Sequence, residues 1–256
     1  TPFPGEAGGV RTASADFTGD GVADLALGSG PGGPARVVVY DGVTGEPVFS
    51  AAPFEAGFAG GVHLAAGDLT GDGRAELVVT PGDGGGPRVR VYSGAGFTLL
   101  ADFFALDPVS RVGVRSAVGD VDGDGTADLA AAAGVGGGPR VAVFDGRTLG
   151  DTPARLAADF FAFDDSLRGG VYVAVADLDG DGRAEVVAGA GEGGGPRVTV
   201  FGGAGVLAGR PVPLADFFAG APAGRGGIRV AAKDLDGDTA ADLVTGAGPG
   251  GGSRVT

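Results

Sequence analysis

One acidic segment recurs five times along this chain, and such a repeat constrains the fold more than any single element does. The copies align without gaps: ADFTGDGVADLALGSGPGGPARVVVY, GDLTGDGRAELVVTPGDGGGPRVRVY, GDVDGDGTADLAAAAGVGGGPRVAVF, ADLDGDGRAEVVAGAGEGGGPRVTVF and KDLDGDTAADLVTGAGPGGGSRVT. Their first aspartates are Asp16, Asp68, Asp120, Asp177 and Asp234, spaced 52, 52, 57 and 57 residues apart. A unit of this length is one supersecondary structure, too small to bury its own apolar faces, so neighbouring units must stack.

Each unit reads as four short strands. The first ends at the leading aspartate, as in GGVRTASAD or GGVYVAVAD. The second is the apolar run after the acidic loop, ADLALG or AEVVAG, and the third is RVVVY, RVRVY, RVAVF or RVTVF, closed by DG, SG or GG turns. The fourth carries aromatics: ADFF at 101–104, ADFFAF at 158–163 and ADFF at 215–218. No window has a 3.6-residue apolar period, so almost no helix is expected. The first strand has a small residue at one equivalent position (Ala13, Ala65, Ala117, Ala174 and Ala231), whereas phenylalanines fill the last. Sheets that converge on an axis leave room only for small side chains near it. The expectation is therefore an all-β fold, a β-propeller of five four-stranded blades around a central axis, forming one domain over residues 1–256. Thr1-Pro2-Phe3 aligns with the end of a fourth strand, so the N-terminal segment is expected to complete the last blade. The chain opens partway through a repeat, without an initiator methionine or signal peptide, as an excised or mature segment would.

Composition removes several classes of function. The net charge is −14, which disfavours nucleic acid and anionic membrane surfaces as partners. There is no cysteine and a single histidine, His63, so thiol chemistry, thiolate metal sites and His-rich metal clusters are absent. No apolar run is long enough to span a bilayer, so no membrane insertion is expected. Glycine and proline are abundant (56 and 16 of 256 residues), but their fixed period argues for order.

The acidic loop reads D-x-[DT]-G-D-G-x-x-[DE]. Oxygen donors at positions 1, 3, 5 and 9, with the backbone carbonyl of position 7, can surround a hard cation, and glycine at position 6 permits the sharp turn. The candidate ligands are Asp16, Thr18, Asp20, Val22 and Asp24; Asp68, Thr70, Asp72, Arg74 and Glu76; Asp120, Asp122, Asp124, Thr126 and Asp128; Asp177, Asp179, Asp181, Arg183 and Glu185; and Asp234, Asp236, Asp238, Ala240 and Asp242. An all-oxygen set selects Ca²⁺ over zinc or copper. An EF-hand begins in the same way but needs an acid at position 12, where the third unit has Ala131. One such turn in a β protein would be an ordinary turn. Five in register, holding 18 of the 32 acids, imply cations, up to five Ca²⁺ with one per blade. Thr18 and Thr70 lower the charge of the first two sites, and Thr239 replaces the turn glycine of the fifth, expected to be the weakest.

This loop between strands, in repeats of about this length, resembles the FG-GAP/VCBS-type repeats of calcium-binding propellers, the group that includes integrin α-subunit heads. The resemblance covers essentially the whole chain, although most units have G-x-G-x-GGG-P-R where the family name implies Phe-Gly and Gly-Ala-Pro. It implies calcium sites that rigidify blades, an extracellular or cell-surface setting, and adhesion or recognition as the role.

Strand direction puts the glycine-rich loops at the end of each blade opposite the acidic loops. One ring of residues follows those loops: Arg36, Arg88, Arg140, Arg197 and Arg254. Another lies five residues before each leading aspartate: Arg11, His63, Arg115, Tyr172 and Arg229. The first reads as architectural, locking blades together, and the second as a candidate ligand surface for a protein or glycan. Gly28, Gly30 and Gly33 spell G-x-G-x-x-G, but a strand follows where a dinucleotide site needs a helix. The chain is therefore expected to be a non-enzymatic, calcium-binding recognition, adhesion or scaffold module of an exported protein. The alternative is a lectin-like or polysaccharide-active domain.

Overall fold

The computed structural model describes residues 1–256 except 1, 4, 6, 7, 95, 253 and 254. Its ordered elements are almost all strands, arranged in five antiparallel sheets that follow the five units. The first sheet is β1 (Val10–Ala15), β2 (Asp24–Ser29), β3 (Val37–Tyr40) and β4 (Pro47–Ala51), in that order. The second repeats it with β5 (Val62–Gly67), β6 (Glu76–Pro81), β7 (Arg88–Tyr92) and β8 (Leu99–Phe104). The third contains β9 (Val114–Gly119), β10 (Asp128–Ala133), β11 (Arg140–Phe144) and β12 (Phe160–Phe161). The fourth contains β13 (Val171–Ala176), β14 (Glu185–Ala190), β15 (Arg197–Phe201) and β16 (Pro213–Phe218). The fifth pairs β17 (Ile228–Lys233) with β18 (Asp242–Ala247), and a bridge from Gly246 to Val255 begins its third strand. Thr1, Ser253 and Arg254, on which the completion of the fifth blade and the fifth arginine rest, lie outside the described residues.

Register repeats with the sequence. In four blades the small residue of the first strand faces an apolar partner on the second: Ala13 opposite Ala26, Ala65 opposite Val78, Ala174 opposite Val187 and Ala231 opposite Val244. A bulge interrupts the pairing of third and fourth strands at Val39/Tyr40, Val91/Tyr92 and Val200/Phe201, the same place in three blades. One departure from the expected all-strand chain is α1, a single turn at Gly203–Leu207 inside the connection from β15 to β16. Its buried Val206 packs into the fourth blade's core, so tertiary burial holds a segment too short to be helical alone.

Contacts divide the chain into two compact units, Thr1–Ser116 with Arg147–Pro153, and Ala117–Gly146 with Ala154–Thr256, the division falling inside β9. The core of the first lies between facing sheets. Ala26, Val37 and Val39 of the first blade meet Val62, Leu77 and Val79 of the second, around the fully buried Phe17. In the second unit, Ala130, Ala132, Val141 and Val143 face Val171, Val186 and Ala188, and the other side of the fourth blade packs on Ile228 and Val230. The second strands β6, β10 and β14 are buried along their whole length, because both their faces are covered. That explains their unbroken apolar sequence, such as DLAAAA.

The sheets approach so closely that main chain meets main chain. A Cβ on Gly30 would overlap the Gly8 carbonyl, and one on Gly191 would overlap that of Gly169. Across blades, a Cβ on Gly61 would sit 2.6 Å from the Gly30 carbonyl carbon, and one on Gly227 2.6 Å from that of Gly191. The glycines at these strand entries are thus spacers that only hydrogen can fill. Gly30→Ala should destabilise the fold by about 3 kcal/mol, because backbone cannot step aside as a side-chain tip can. Gly57→Ala, with nothing within 4 Å of the added methyl, should stay within about 0.5 kcal/mol. Chemical denaturation of the two variants tests the contrast.

Candidate metal centres

Each acidic loop joins the first and second strands of its blade and is folded by its own carboxylates. The aspartate at position 1 accepts hydrogen bonds from the backbone ahead of it. Asp16 takes the N–H groups of Gly19 (2.6 Å), Asp20 (3.1 Å) and Gly21 (2.8 Å), and Asp68 and Asp120 repeat the set one blade and two blades on. The hydrogen bond from Gly21, with those from Gly19 and Asp20, holds the Asp16 carboxyl below the usual range. Position 5 closes a smaller turn by accepting the N–H of position 7: Val22 on Asp20 (2.8 Å), Arg74 on Asp72 (2.9 Å), Thr126 on Asp124 (2.8 Å), Arg183 on Asp181 (2.8 Å) and Ala240 on Asp238 (2.9 Å).

The acid at position 9 has a further task. Asp24, fully buried, accepts the N–H groups of Phe17 and Thr18 on one oxygen and of Gly42, in the turn between third and fourth strands, on the other. Asp128 repeats this with Val121 and Gly146. Glu76, Glu185 and Asp242 likewise accept the N–H of position 2 (Leu69, Leu178 and Leu235). This residue therefore ties the acidic loop to the neighbouring turn, a role its spacing alone did not reveal.

Carboxylate oxygens of positions 1, 3 and 9 converge in three loops. In Asp120/Asp122/Asp128, Asp177/Asp179/Glu185 and Asp234/Asp236/Asp242, one oxygen from each residue lies within 4.8 Å of the others. Oxygens sharing one Ca²⁺ at 2.3–2.6 Å can be no more than about 5 Å apart, so these groups are compact enough for such an ion. A carboxylate offers about four lone-pair sites, so the leading aspartate keeps capacity beyond its three backbone donors. The loops at 16–24 and 68–76 have threonine at position 3. Thr18 Oγ1 is buried without a hydrogen-bond partner, an oxygen left over where the later loops place a carboxylate. The residues present thus fit a hard cation. In the fifth loop Thr239 adopts φ 78°, which glycine takes in the other four, so the loop forms at the expense of backbone strain.

Successive loops are chained. In three places the carbonyl of a leading aspartate accepts an N–H from position 8 of the next loop: Ala75 on Asp16 (3.1 Å), Ala184 on Asp120 (2.6 Å) and Ala241 on Asp177 (2.7 Å). Of the second ring of candidate residues, Arg11 donates to the Val62 carbonyl of the next blade (3.2 Å). Tyr172 donates to Glu192 (2.8 Å), with the Arg229 guanidinium over its ring and near the same carboxylate. Arg115 is buried and His63 half-buried on the first strands of their blades. Three arginines of the first ring are paired along their blades: Arg88 forms two bonds to Asp102, Arg197 two to Asp216, and Arg140 faces Asp159.

Burial pushes Asp128 up to about 6, and it also raises Asp122, where the Asp124 charge adds to it, as well as Glu76 and Glu185. An acid whose folded value lies above its unfolded one costs stability when ionised, so that cost is present above pH 6 and relieved as pH falls through it. In EDTA, the melting temperature should therefore rise from pH 7.5 to pH 5.5, and the rise should shrink in Asp128→Asn. The carboxylates held below the usual range, such as Asp16 and Asp216, titrate outside this window. A flat wild-type profile would refute the expectation.

The fold has relatives among solved structures. A rhamnogalacturonan lyase from Bacillus licheniformis is similar with a TM-score of 0.55 and 16% identity over 93% of this chain. A lectin from Agrocybe aegerita that recognises non-reducing terminal N-acetylglucosamine gives 0.54 and 21% over 94%, and the Dos1 propeller 0.51 and 15% over 94%. The chain spans 46%, 61% and 52% of those proteins, respectively. At these identities the likeness shows the β-propeller fold alone. Comparison with curated protein sequences finds no match. The FG-GAP-like repeat matches three times, at residues 16–79, 68–131 and 120–188, each match running from one acidic loop into or beyond the next. The chain belongs to the FG-GAP-like repeat family.

Proposed function

We propose that the acidic loops bind Ca²⁺, up to five ions with one per blade, and that the chain is a non-catalytic recognition or adhesion module of an exported protein. The observation that carries this reading is the convergence of positions 1, 3 and 9 in three loops, with a partnerless threonine oxygen at the same place in a fourth. Each ion would offset the repulsion and desolvation that the clustered acids suffer alone. Five ions would take the net charge from −14 to −4. Millimolar calcium is found outside cells, which supports an extracellular or cell-surface setting. Among the described residues, no helix is long and apolar enough to cross a membrane.

A glycan is the favoured class of partner, since the structural relatives include a sugar-binding lectin and a polysaccharide lyase. A binding role is preferred to a catalytic one because Asp102, Asp159 and Asp216, acids outside the loops on or beside the fourth strands, are engaged with arginines. Hydrogen bonds from Arg197 hold the Asp216 carboxyl below its usual range, the opposite of what a general acid needs.

At 1–2 mM Ca²⁺ and a Kd of roughly 0.1 mM, each site adds on the order of 1–2 kcal/mol. For a chain of this size, several sites together should raise the melting temperature by about 10 °C or more relative to EDTA. Equal Mg²⁺ should do little, because it demands a tighter octahedral shell. An unchanged transition in calcium would reduce the loops to plain turns.

A further inference from the structure

At the ends of the blades opposite the acidic loops, one arrangement recurs that the repeat motif does not include. After the fourth strand the chain makes a tight turn, closed by Ser110 N–H on Asp107, Leu167 on Asp164 and Gly224 on Ala221. An arginine follows each turn: Arg111, Arg168 and Arg225. Its Nη1 donates back to two turn carbonyls, Pro108 and Ser110, Asp165 and Leu167, or Pro222 and Gly224. The rest of each guanidinium, Nη2 and Nε, faces no carboxylate among the described residues, although the chain as a whole is strongly acidic. Beside each arginine lies a phenylalanine ring, exposed by 48% at Phe104, 51% at Phe161 and 50% at Phe218. The third glycine of the adjoining loop brings them together. A Cβ on Gly86 would meet Phe104 at 3.5 Å and Arg111 at 3.9 Å, and one on Gly138 would meet Phe161 at 3.6 Å and Arg168 at 3.7 Å.

These groups border clefts of the same build in both compact units. In the first, Phe54, Gly86, Arg88, Phe104 and Arg111 surround about 280 Å³. In the second, Phe163, Gly195, Arg197, Phe218 and Arg225 take the same places and Arg168 joins them, around about 710 Å³, the size of a small-molecule site. The acids that line the larger cleft are engaged: Asp164 accepts from Ser166, and Glu192 from Tyr172. The cleft therefore offers an apolar ring face flanked by two guanidinium forks fixed in advance by their turns.

We propose that these clefts bind a carboxylated pyranose, a hexuronate unit of an acidic polysaccharide, and that Phe218, Arg168 and Arg225 form the principal site. The C–H face of the sugar lies on the phenylalanine ring. The carboxylate takes two parallel N–H bonds from a guanidinium that has already lost its freedom. This assignment rests on the reading of the chain as a glycan-recognition module.

Isothermal titration of the whole chain in 2 mM Ca²⁺, with a galacturonate trisaccharide and its carboxyl-reduced counterpart, tests it. The uronate should bind, with the reduced sugar at least ten-fold weaker and the affinity falling in 0.5 M salt. Arg168→Gln with Arg225→Gln should lose at least ten-fold, and Phe218→Leu, at a half-exposed position that leaves the fold intact, should weaken both sugars. Equal affinity for the reduced trisaccharide would overturn the proposal, as would unchanged uronate binding in the double variant. Absence of binding by either sugar would overturn it too. If calcium still raised the melting temperature in that case, the calcium reading would stand while the ligand assignment fell.

Discussion

Close approach of backbone to backbone between neighbouring sheets is the constraint on which the rest of this structure depends. Facing blades bury alanine and valine against each other, and their strand entries touch through glycines that leave no space for a Cβ. Thin, tightly stacked sheets can hold few bulky residues, so the second strands are runs of Ala, Val and Leu and the aromatics collect on the fourth strands. The high glycine content that superficially suggests disorder is the means by which the sheets come together.

That packing sets the electrostatic problem of the acidic loops. The acid at position 9 starts the second strand, which in the second, third and fourth blades is buried along its whole length, and is drawn into the interior with it. Backbone N–H groups satisfy its oxygens, yet Asp128, Glu76 and Glu185 remain raised because burial outweighs those hydrogen bonds. A divalent ion beside positions 1, 3 and 9 is the compensation the geometry allows. The same residue is thus a strut of the fold and a ligand candidate, and its two roles cannot be separated by a single substitution.

Much of this was legible in the sequence because the repeat compares the chain with itself. Strand order, the ends of β1, β2 and their equivalents, and the alanine-to-phenylalanine gradient all follow from spacing and residue type. Other features were hidden for physical reasons. Position 9 reads as a ligand, and its hydrogen bonds to Phe17 and Gly42 appear only once the third strand has returned. Arg111, Arg168 and Arg225 sit in turns of dissimilar sequence, DPVSR, DDSLR and APAGR, so only the shared turn geometry shows them to be equivalent. The turn at Gly203–Leu207 carries no helical signature because a neighbouring core, not local propensity, imposes it.

The chaining of loops has a consequence for how such a molecule comes to exist. Beside the apolar core shared by neighbouring blades, part of the joint between them is made of main-chain atoms: the carbonyl of a leading aspartate, the N–H of the eighth residue of the following loop, and glycines without side chains. A blade copied in the gene brings both halves of that joint with it. That part of the joint needs no complementary side chain in its new neighbours. Blade number is then free to change by duplication while side chains at the loop tips diverge, which is how near-identical loops can accompany turns as different as DPVSR and APAGR.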